Sequence, residues 1–176
     1  VIQTLAAMKM SVLNKLLEQR AYTDAHTGLP NKDACEVLLN NKETVAKHTA
    51  CMMFDLNNLK IINDTKGHSK GDQLILDFAR LLRNVIPQKD FVGRYGGDEF
   101  MVVIYNTSKT EIEDILKQLS REKDRLNSSG NNMPIDYACG WAISDADSEC
   151  TIQMLLDKAD YYMYENKQAY KKSKKS

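Results

Sequence analysis

The stretch Arg94-Tyr-Gly-Gly-Asp-Glu-Phe100 decides how the rest of the chain is organised. Its two adjacent glycines allow positive φ angles that a Cβ would forbid, so they predict a tight hairpin tip that another molecule can approach closely. The run from Phe100 to Tyr105 is rich in the β-branched and aromatic residues of a buried strand. The sequence therefore predicts a β-hairpin that carries Asp98 and Glu99 at its turn, although an ordinary hairpin with solvated acids would read the same way.

Another acid, Asp55, ends a second apolar run, Cys51-Met-Met-Phe-Asp-Leu56. Such a run predicts a central strand with the acid at its carboxyl end. If this strand pairs with the run after the hairpin, the two backbones lie about 4.8 Å apart, and Asp55 and Asp98 can face one cation. Taken alone, an acid at a strand end is as well explained as a helix cap or turn former.

The segment from Asn57 to Asp72 predicts a short helix, a glycine stop and the first turn of a second helix, which Pro87 ends. Asn63 would then lie near the end of the first helix and Asp72 in the first turn of the second. A carboxylate only accepts hydrogen bonds, whereas an amide both donates and accepts. The pair suits guanine, although helix capping by Asp72 explains that residue equally well.

The remaining patterns complete an α+β fold. Thr110 and Glu113 have the spacing of a capping box at the start of a helix, residues 135–143 predict a strand, and residues 151–167 predict a last helix. The order βαββαβ predicts a ferredoxin-like palm, of the type found in nucleotidyl cyclases and polymerases. Its central sheet is antiparallel-rich, with surrounding helices expected on one face.

Composition limits the function. The 176 residues suit one domain, and 24 basic residues balance 24 acidic ones, which disfavours a nucleic-acid partner. No apolar run approaches the roughly 20 residues of a membrane helix, and four separated cysteines favour a reduced, cytoplasmic compartment. Residues 1–21 have apolar spacing that fits either a dimerising stalk or a helix packed on its own domain. Residues 172–176 form a basic tail.

Taken together, these motifs resemble the GGDEF family of diguanylate cyclases over residues 22–171. A full-length protein would then carry a sensor domain upstream of the linker helix, and a membrane anchor there is compatible with the sequence. The motifs that carry the resemblance are, in chain order, Asp24-Ala-His-Thr-Gly-Leu-Pro-Asn31, Asp55-Leu-Asn-Asn-Leu-Lys60, Asn63-Asp64, Gly67-His68, Gly71-Asp72, Arg94 to Phe100, Gly140-Trp-Ala142 and Ala159-Asp160 with Tyr164 and Lys167.

The resemblance implies that two GTP molecules are joined into cyclic di-GMP with release of two pyrophosphates. It implies Mg²⁺, with Mn²⁺ as a substitute, two ions in each active site, and a homodimer in which two half-sites face each other. By resemblance, the metals are held by Asp55, the Leu56 carbonyl, Asp98 and Glu99; Glu99, Lys60 and Asp98 are catalytic; and the nucleotide is bound by Asn63, His68, Asp72, Gly96, Gly97, Lys167 and Lys171.

The chain also departs from the family pattern. Asn57 stands where many relatives carry a second Asp, and three further departures are His26 for Leu, Leu59 for Phe and Lys171 for Arg. The family's product-inhibition motif is Arg-x-x-Asp, whereas the corresponding window here reads Pro87-Gln-Lys-Asp90, so we expect no inhibition through it. The alternative hypothesis is an inactive domain that binds GTP or serves in regulation or dimerisation.

Overall fold

The structure is a computed structural model that describes residues 2–130, 133–144 and 149–173. The last three residues of the predicted basic tail therefore lie outside the described part of the chain. The elements are α1 (Ile2–Tyr22), α2 (Lys32–Asn40), β1 (Ala50–Leu56), α3 (Leu59–Lys66), α4 (His68–Val85), β2 (Phe91–Arg94), β3 (Glu99–Ile104), α5 (Lys109–Ser128), β4 (Tyr137–Ile143) and α6 (Ile152–Ser173).

One antiparallel sheet organises the described residues, with the strands in the order β2-β3-β1-β4. The two central strands, β1 and β3, are the two that the sequence predicts to pair. Because β2 and β4 are the outer strands and helices connect β1 to β2 and β3 to β4, the βαββαβ order and the ferredoxin-like topology are confirmed.

Helices cover both faces of the sheet, so the expectation that they lie on one face was wrong. Alternate residues of β1 point to opposite sides, and the strand is buried along its whole length. Phe54 belongs to a core that includes residues of α4 and α5, whereas Met53 belongs to a second core with residues of α2 and α6. The uninterrupted apolar run of β1 is the sequence signal for this double burial.

Two helix starts differ from those predicted. Helix α4 begins at His68, which places Asp72 in its second turn instead of its first. Helix α5 begins two residues earlier than the Thr110 box implies, because Ser108 is the N-cap and exchanges hydrogen bonds with Glu111. Both candidate pairs fit the Ser/Thr-x-x-Glu spacing, so only the structure distinguishes them.

Helix α1 is the least covered element of the chain. Every side chain that the structure describes between Thr4 and Tyr22 is exposed, including Leu5, Leu13 and Leu17 at 50–56%. A helix predicted for residues 1–21 is described as Ile2–Tyr22, and its role as a stalk stays a prediction. Within the described ranges, no helix has the length and apolar character needed to cross a membrane.

Candidate active site

The hairpin tip lies between β2 and β3, where the amides of Tyr95 and Gly96 both donate to the Glu99 carbonyl at 2.8 and 3.1 Å. Neither Gly96 nor Gly97 is among the glycines with positive φ, so the conformational argument for them was wrong. A Cβ on Gly96 would lie 2.6 Å from Glu99 Oε2, whereas a Cβ on Gly97 would meet no atom within 4 Å. Gly97 is therefore exposed and has free space on the side where a Cβ would lie.

Arg94 fixes the tip to the loop that follows α1. Its Nη2 donates to the Gly97 carbonyl at 2.8 Å, and its Nη1 donates to the two carboxylate oxygens of Asp24 at 3.2 and 3.3 Å. Burial of Asp24 opposes its ionisation, but hydrogen bonds from Thr27 and the charge of Arg94 outweigh this and lower the pKa of the carboxyl. The Asp24 loop therefore holds the tip as an ionised partner of Arg94.

Asp55 and Glu99 lie directly opposite each other where β1 and β3 pair. Directly opposed residues of an antiparallel pair share one face, with Cβ atoms about 5 Å apart. Asp98 precedes β3, and its backbone carbonyl accepts from the Leu56 amide at 2.8 Å. The direct neighbour of Asp55 is thus Glu99, whereas the sequence predicts that Asp55 and Asp98 face one cation.

Negative charge accumulates around Glu99. Burial raises the pKa of its carboxyl, the charges of Asp98, Asp55 and Asp160 raise it further, and Lys167 acts in the opposite direction. A carboxyl that is reluctant to ionise binds a proton well and suits a general base. Asp160 lies in a motif that carries the family resemblance, but the sequence does not predict it as a site residue, because nothing in its local spacing connects α6 to the hairpin.

Lys167 reaches from α6 to Asp55. Its Nζ lies 2.7 Å from each carboxylate oxygen, and the hydrogen-bond geometry is met at Oδ2, which leaves Oδ1 buried without a hydrogen bond. The family resemblance implies phosphate contacts for Lys167, and the structure gives it a carboxylate partner. Lys171 follows four residues later on the same helix and is exposed, as expected if α6 continues past Lys167.

The acids fit a divalent cation in part. In the described part of the chain, no three Asp, Glu, His or Cys side chains converge on one point. Magnesium, however, typically takes only one or two protein carboxylates, with phosphate oxygens and water completing its octahedron. Asp55 offers a buried oxygen without a hydrogen bond, and Glu99 lies opposite, so the two acids meet that smaller requirement.

The predicted guanine pair lies on α3 and α4. Asn63 is half-buried, and a Cβ on Gly71 would collide with its amide oxygen, so the glycine is what lets α4 pack against this side chain. Asp72 is exposed beside them, and the ring of His26 contacts its backbone carbonyl at 2.9 Å. The loop of His26 and Asp24 therefore touches both α4 and, through Arg94, the hairpin tip.

Three other sequence candidates have simple positions. Lys60 lies exposed in the first turn of α3, and His68 is the exposed first residue of α4. Asn57 is buried, and its side-chain amide donates to the Asp136 carboxylate at 3.2 Å. Its backbone N–H donates to the backbone carbonyl of Asp136. The side-chain amide of Asn57 therefore binds a carboxylate other than those of Asp55 and Glu99. An Asp at position 57 would place its negative charge against that of Asp136.

The window of the family's product-inhibition motif forms a tight turn, with the Asp90 amide donating to the Pro87 carbonyl at 3.0 Å. The Asp90 side chain is buried and accepts from the Tyr105 amide. Arg83 of α4 donates to the carbonyls of Gln88 and Asp90. Asp90 therefore serves the fold of this turn instead of facing solvent.

Comparison with known proteins agrees with this geometry. The sequence model of the protein family described as "Diguanylate cyclase, GGDEF domain" matches residues 21–173. The chain belongs to the GGDEF family. Diguanylate cyclase DgcP of Escherichia coli is 30% identical over 165 residues, which are 91% of this chain and 48% of that protein. Cyclic di-GMP phosphodiesterase PdeB of Shewanella oneidensis is 31% identical over 151 residues, 85% of this chain and 18% of that protein.

The GGDEF fold is also shown by solved structures. The coiled coil and GGDEF domain of DgcB from Caulobacter crescentus, in complex with c-di-GMP, matches with a TM-score of 0.80 at 23% identity, covering 95% of this chain and 91% of that one. The chain spans less than half the length of the curated GGDEF relatives named above. The family match covers α2 to α6, the part of the chain that contains the sheet and the opposed acids Asp55 and Glu99.

Proposed function

We propose that this GGDEF domain is a diguanylate cyclase that condenses two GTP molecules into cyclic di-GMP. The observation that carries the proposal is the pairing of Asp55 with Glu99 beside a hairpin tip whose Gly97 backbone is open. In each step the 3′-hydroxyl oxygen of one GTP forms a bond to the α-phosphorus of the other. The bond from that phosphorus to the bridging oxygen breaks, and pyrophosphate leaves with the electron pair.

The acids at the end of β1 and the start of β3 would hold Mg²⁺, with Mn²⁺ as a substitute. Asp55 and Glu99 would be its principal ligands, joined by Asp98 and the Leu56 carbonyl, and two ions would occupy the site. When bound, the metal neutralises charge on the phosphoryl oxygens and on pyrophosphate. Glu99 is also the proposed general base for the attacking hydroxyl, a role that it can take when it does not coordinate the second ion.

Residues around the acids would bind the nucleotide. Asn63 and Asp72 would take the guanine edge, because together they offer the donor and the acceptors that this base requires. The open backbone at the glycine tip would lie along the phosphates. The cationic and ring side chains proposed to contact the triphosphate are Lys60, His68, Lys167 and Lys171.

Turnover requires a homodimer, since each product contains two guanosine units and one domain supplies one nucleotide site. The exposed apolar side chains of α1 support a stalk that brings two domains together. An upstream sensor would act through this stalk. We also propose that product does not inhibit through the turn of Pro87 to Asp90, because its Asp is buried and no Arg precedes it there.

A GTP-binding regulatory module is the second candidate. Two observations favour it: curated relatives of this region include a phosphodiesterase, and Asp55 is engaged by Lys167. A domain that had lost turnover would bind GTP without releasing pyrophosphate.

Pyrophosphate release from GTP and Mg²⁺ tests the proposal. We expect Asp55→Asn and Asp98→Ala to lower the rate by about a hundredfold or more, the scale of losing electrostatic stabilisation of a transition state. Asp114→Asn, an exposed acid on α5 that pairs with Lys117, is the matched control. Equal rates in all three variants would contradict the assignment, and GTP binding without any release would favour the regulatory module.

A further inference from the structure

Lys167 is the counter-ion of the predicted metal acid. Its Nζ contacts both oxygens of Asp55 at 2.7 Å, across 112 residues of sequence. The carboxylate side chain is 9% exposed and the lysine side chain 29%, so solvent screens this pair only in part. The contact joins α6 to the carboxyl end of β1, at the point where the proposed nucleotide site begins.

An ammonium group and a divalent cation compete for such a carboxylate. The ammonium lies in contact with both oxygens of Asp55, so a cation that coordinates either oxygen meets a positive charge at close range. Removing Lys167 from Asp55 leaves two opposed acids, Asp55 and Glu99, without that charge. A triphosphate offers the lysine a new anionic partner within the same site.

We propose that Lys167 acts as a resident cation of this site: it holds Asp55 until a nucleotide draws it away, so divalent metal and nucleotide bind together instead of one after the other. The inference rests on the proposed function only in that the ligand is a metal–nucleotide complex. It predicts opposite effects of one substitution on two ligands. Without Lys167, metal alone binds better and nucleotide binds worse.

The test measures Mn²⁺ binding in the absence of nucleotide, by the loss of the free-ion signal in electron paramagnetic resonance. Lys167→Met should bind Mn²⁺ about tenfold more tightly than the wild type, since it removes one adjacent positive charge while keeping the length of the side chain. Lys158→Met, which makes the same change at an exposed position of α6, should bind like the wild type. Adding Asp55→Asn to Lys167→Met should abolish the increase in Mn²⁺ affinity, which would show that the ion binds at Asp55.

The second arm measures coupling. In the wild type, a non-hydrolysable GTP analogue should raise Mn²⁺ affinity, and by linkage Mn²⁺ should raise affinity for the analogue equally. In Lys167→Met, the factor by which each ligand raises the affinity for the other should be about tenfold smaller. The analogue alone should also bind more weakly to this variant. Lys167→Arg, which keeps the charge, should retain the wild-type coupling and guards against a folding defect in the Met variant.

Mn²⁺ binding to Lys167→Met that is no tighter than to the wild type would overturn the inference. Unchanged coupling in that variant would also overturn it. Either result, together with normal pyrophosphate release by the wild type, leaves the cyclase proposal standing. Conversely, tighter Mn²⁺ binding by Lys167→Met in a chain that never releases pyrophosphate supports the inference and contradicts the proposed activity.

Discussion

The contact of Arg94 with Asp24 and Gly97 gives a prediction that depends on the fold of the site alone. Arg94→Ala removes two hydrogen bonds to a carboxylate and one to the carbonyl of the hairpin tip. It also leaves Asp24 with only its Thr27 partner among the hydrogen bonds described above. We expect the protein to lose stability and the tip to lose its tie to the preceding loop.

The magnitude follows from partial burial. Exposed ion pairs contribute about 0–1 kcal/mol, whereas removing one partner of a buried pair costs about 3–5 kcal/mol. The Arg94 and Asp24 side chains are 16% and 21% exposed, and the bonds to the carboxylate are long at 3.2 and 3.3 Å. The cost of Arg94→Ala should therefore lie between these limits, at about 2–3 kcal/mol.

Urea denaturation of a double-mutant cycle provides the assay. Arg94→Ala, Asp24→Ala and the double variant should give a coupling free energy of about 1–2 kcal/mol between the two side chains. The Lys32–Glu36 pair on α2 is the control, since both side chains are well exposed and should couple by less than about 0.5 kcal/mol. A loss below about 0.5 kcal/mol for Arg94→Ala, or coupling no larger than in the control, would show that the contact between Arg94 and Asp24 does not stabilise the fold.

The other predictions concern three glycines and the stability of the protein at low pH. Gly71→Ala should weaken GTP binding and cost about 1–3 kcal/mol in urea, because its Cβ would displace the amide of Asn63; unchanged GTP affinity would contradict this. Gly140→Ala should cost about 3 kcal/mol or more, since its Cβ would meet backbone atoms of α6, and a normal melting temperature would rule that out. Gly97→Ala should leave stability within about 0.5 kcal/mol yet impair GTP binding, as a melting curve and a titration can show. Because the pKa of Asp24 is lowered on folding, its contribution is present above about pH 5 and lost as pH falls through the folded pKa; Asp24→Asn should flatten this acid dependence of unfolding.

Local patterns were enough to predict the strands and their order. The apolar runs of β1 and β3 and the turn between β2 and β3 follow from residues that are neighbours in sequence. The same run in β1 carried the information that both faces are covered, since no polar residue interrupts it before Asp55. Expecting helices on one face overlooked that signal.

The site was harder to predict because it depends on register and on distant contacts. Which acid opposes Asp55 is decided by the pairing of β1 with β3, and a shift of one residue exchanges the two faces of a strand. The contact of Lys167 with Asp55 joins residues 112 positions apart, and no periodicity reports it. The family resemblance identified the candidate site residues, whereas their contacts with one another are visible only in the structure.

The decisive test of diguanylate cyclase activity is to identify the product that the chain forms from GTP. The chain, at a concentration high enough to form dimers, should be incubated with GTP and Mg²⁺, and the nucleotides separated and weighed by mass spectrometry. We expect cyclic di-GMP, with two pyrophosphates released for each molecule formed. Recovery of intact GTP from a protein that binds it, or of GDP and phosphate alone, would contradict the proposed diguanylate cyclase activity.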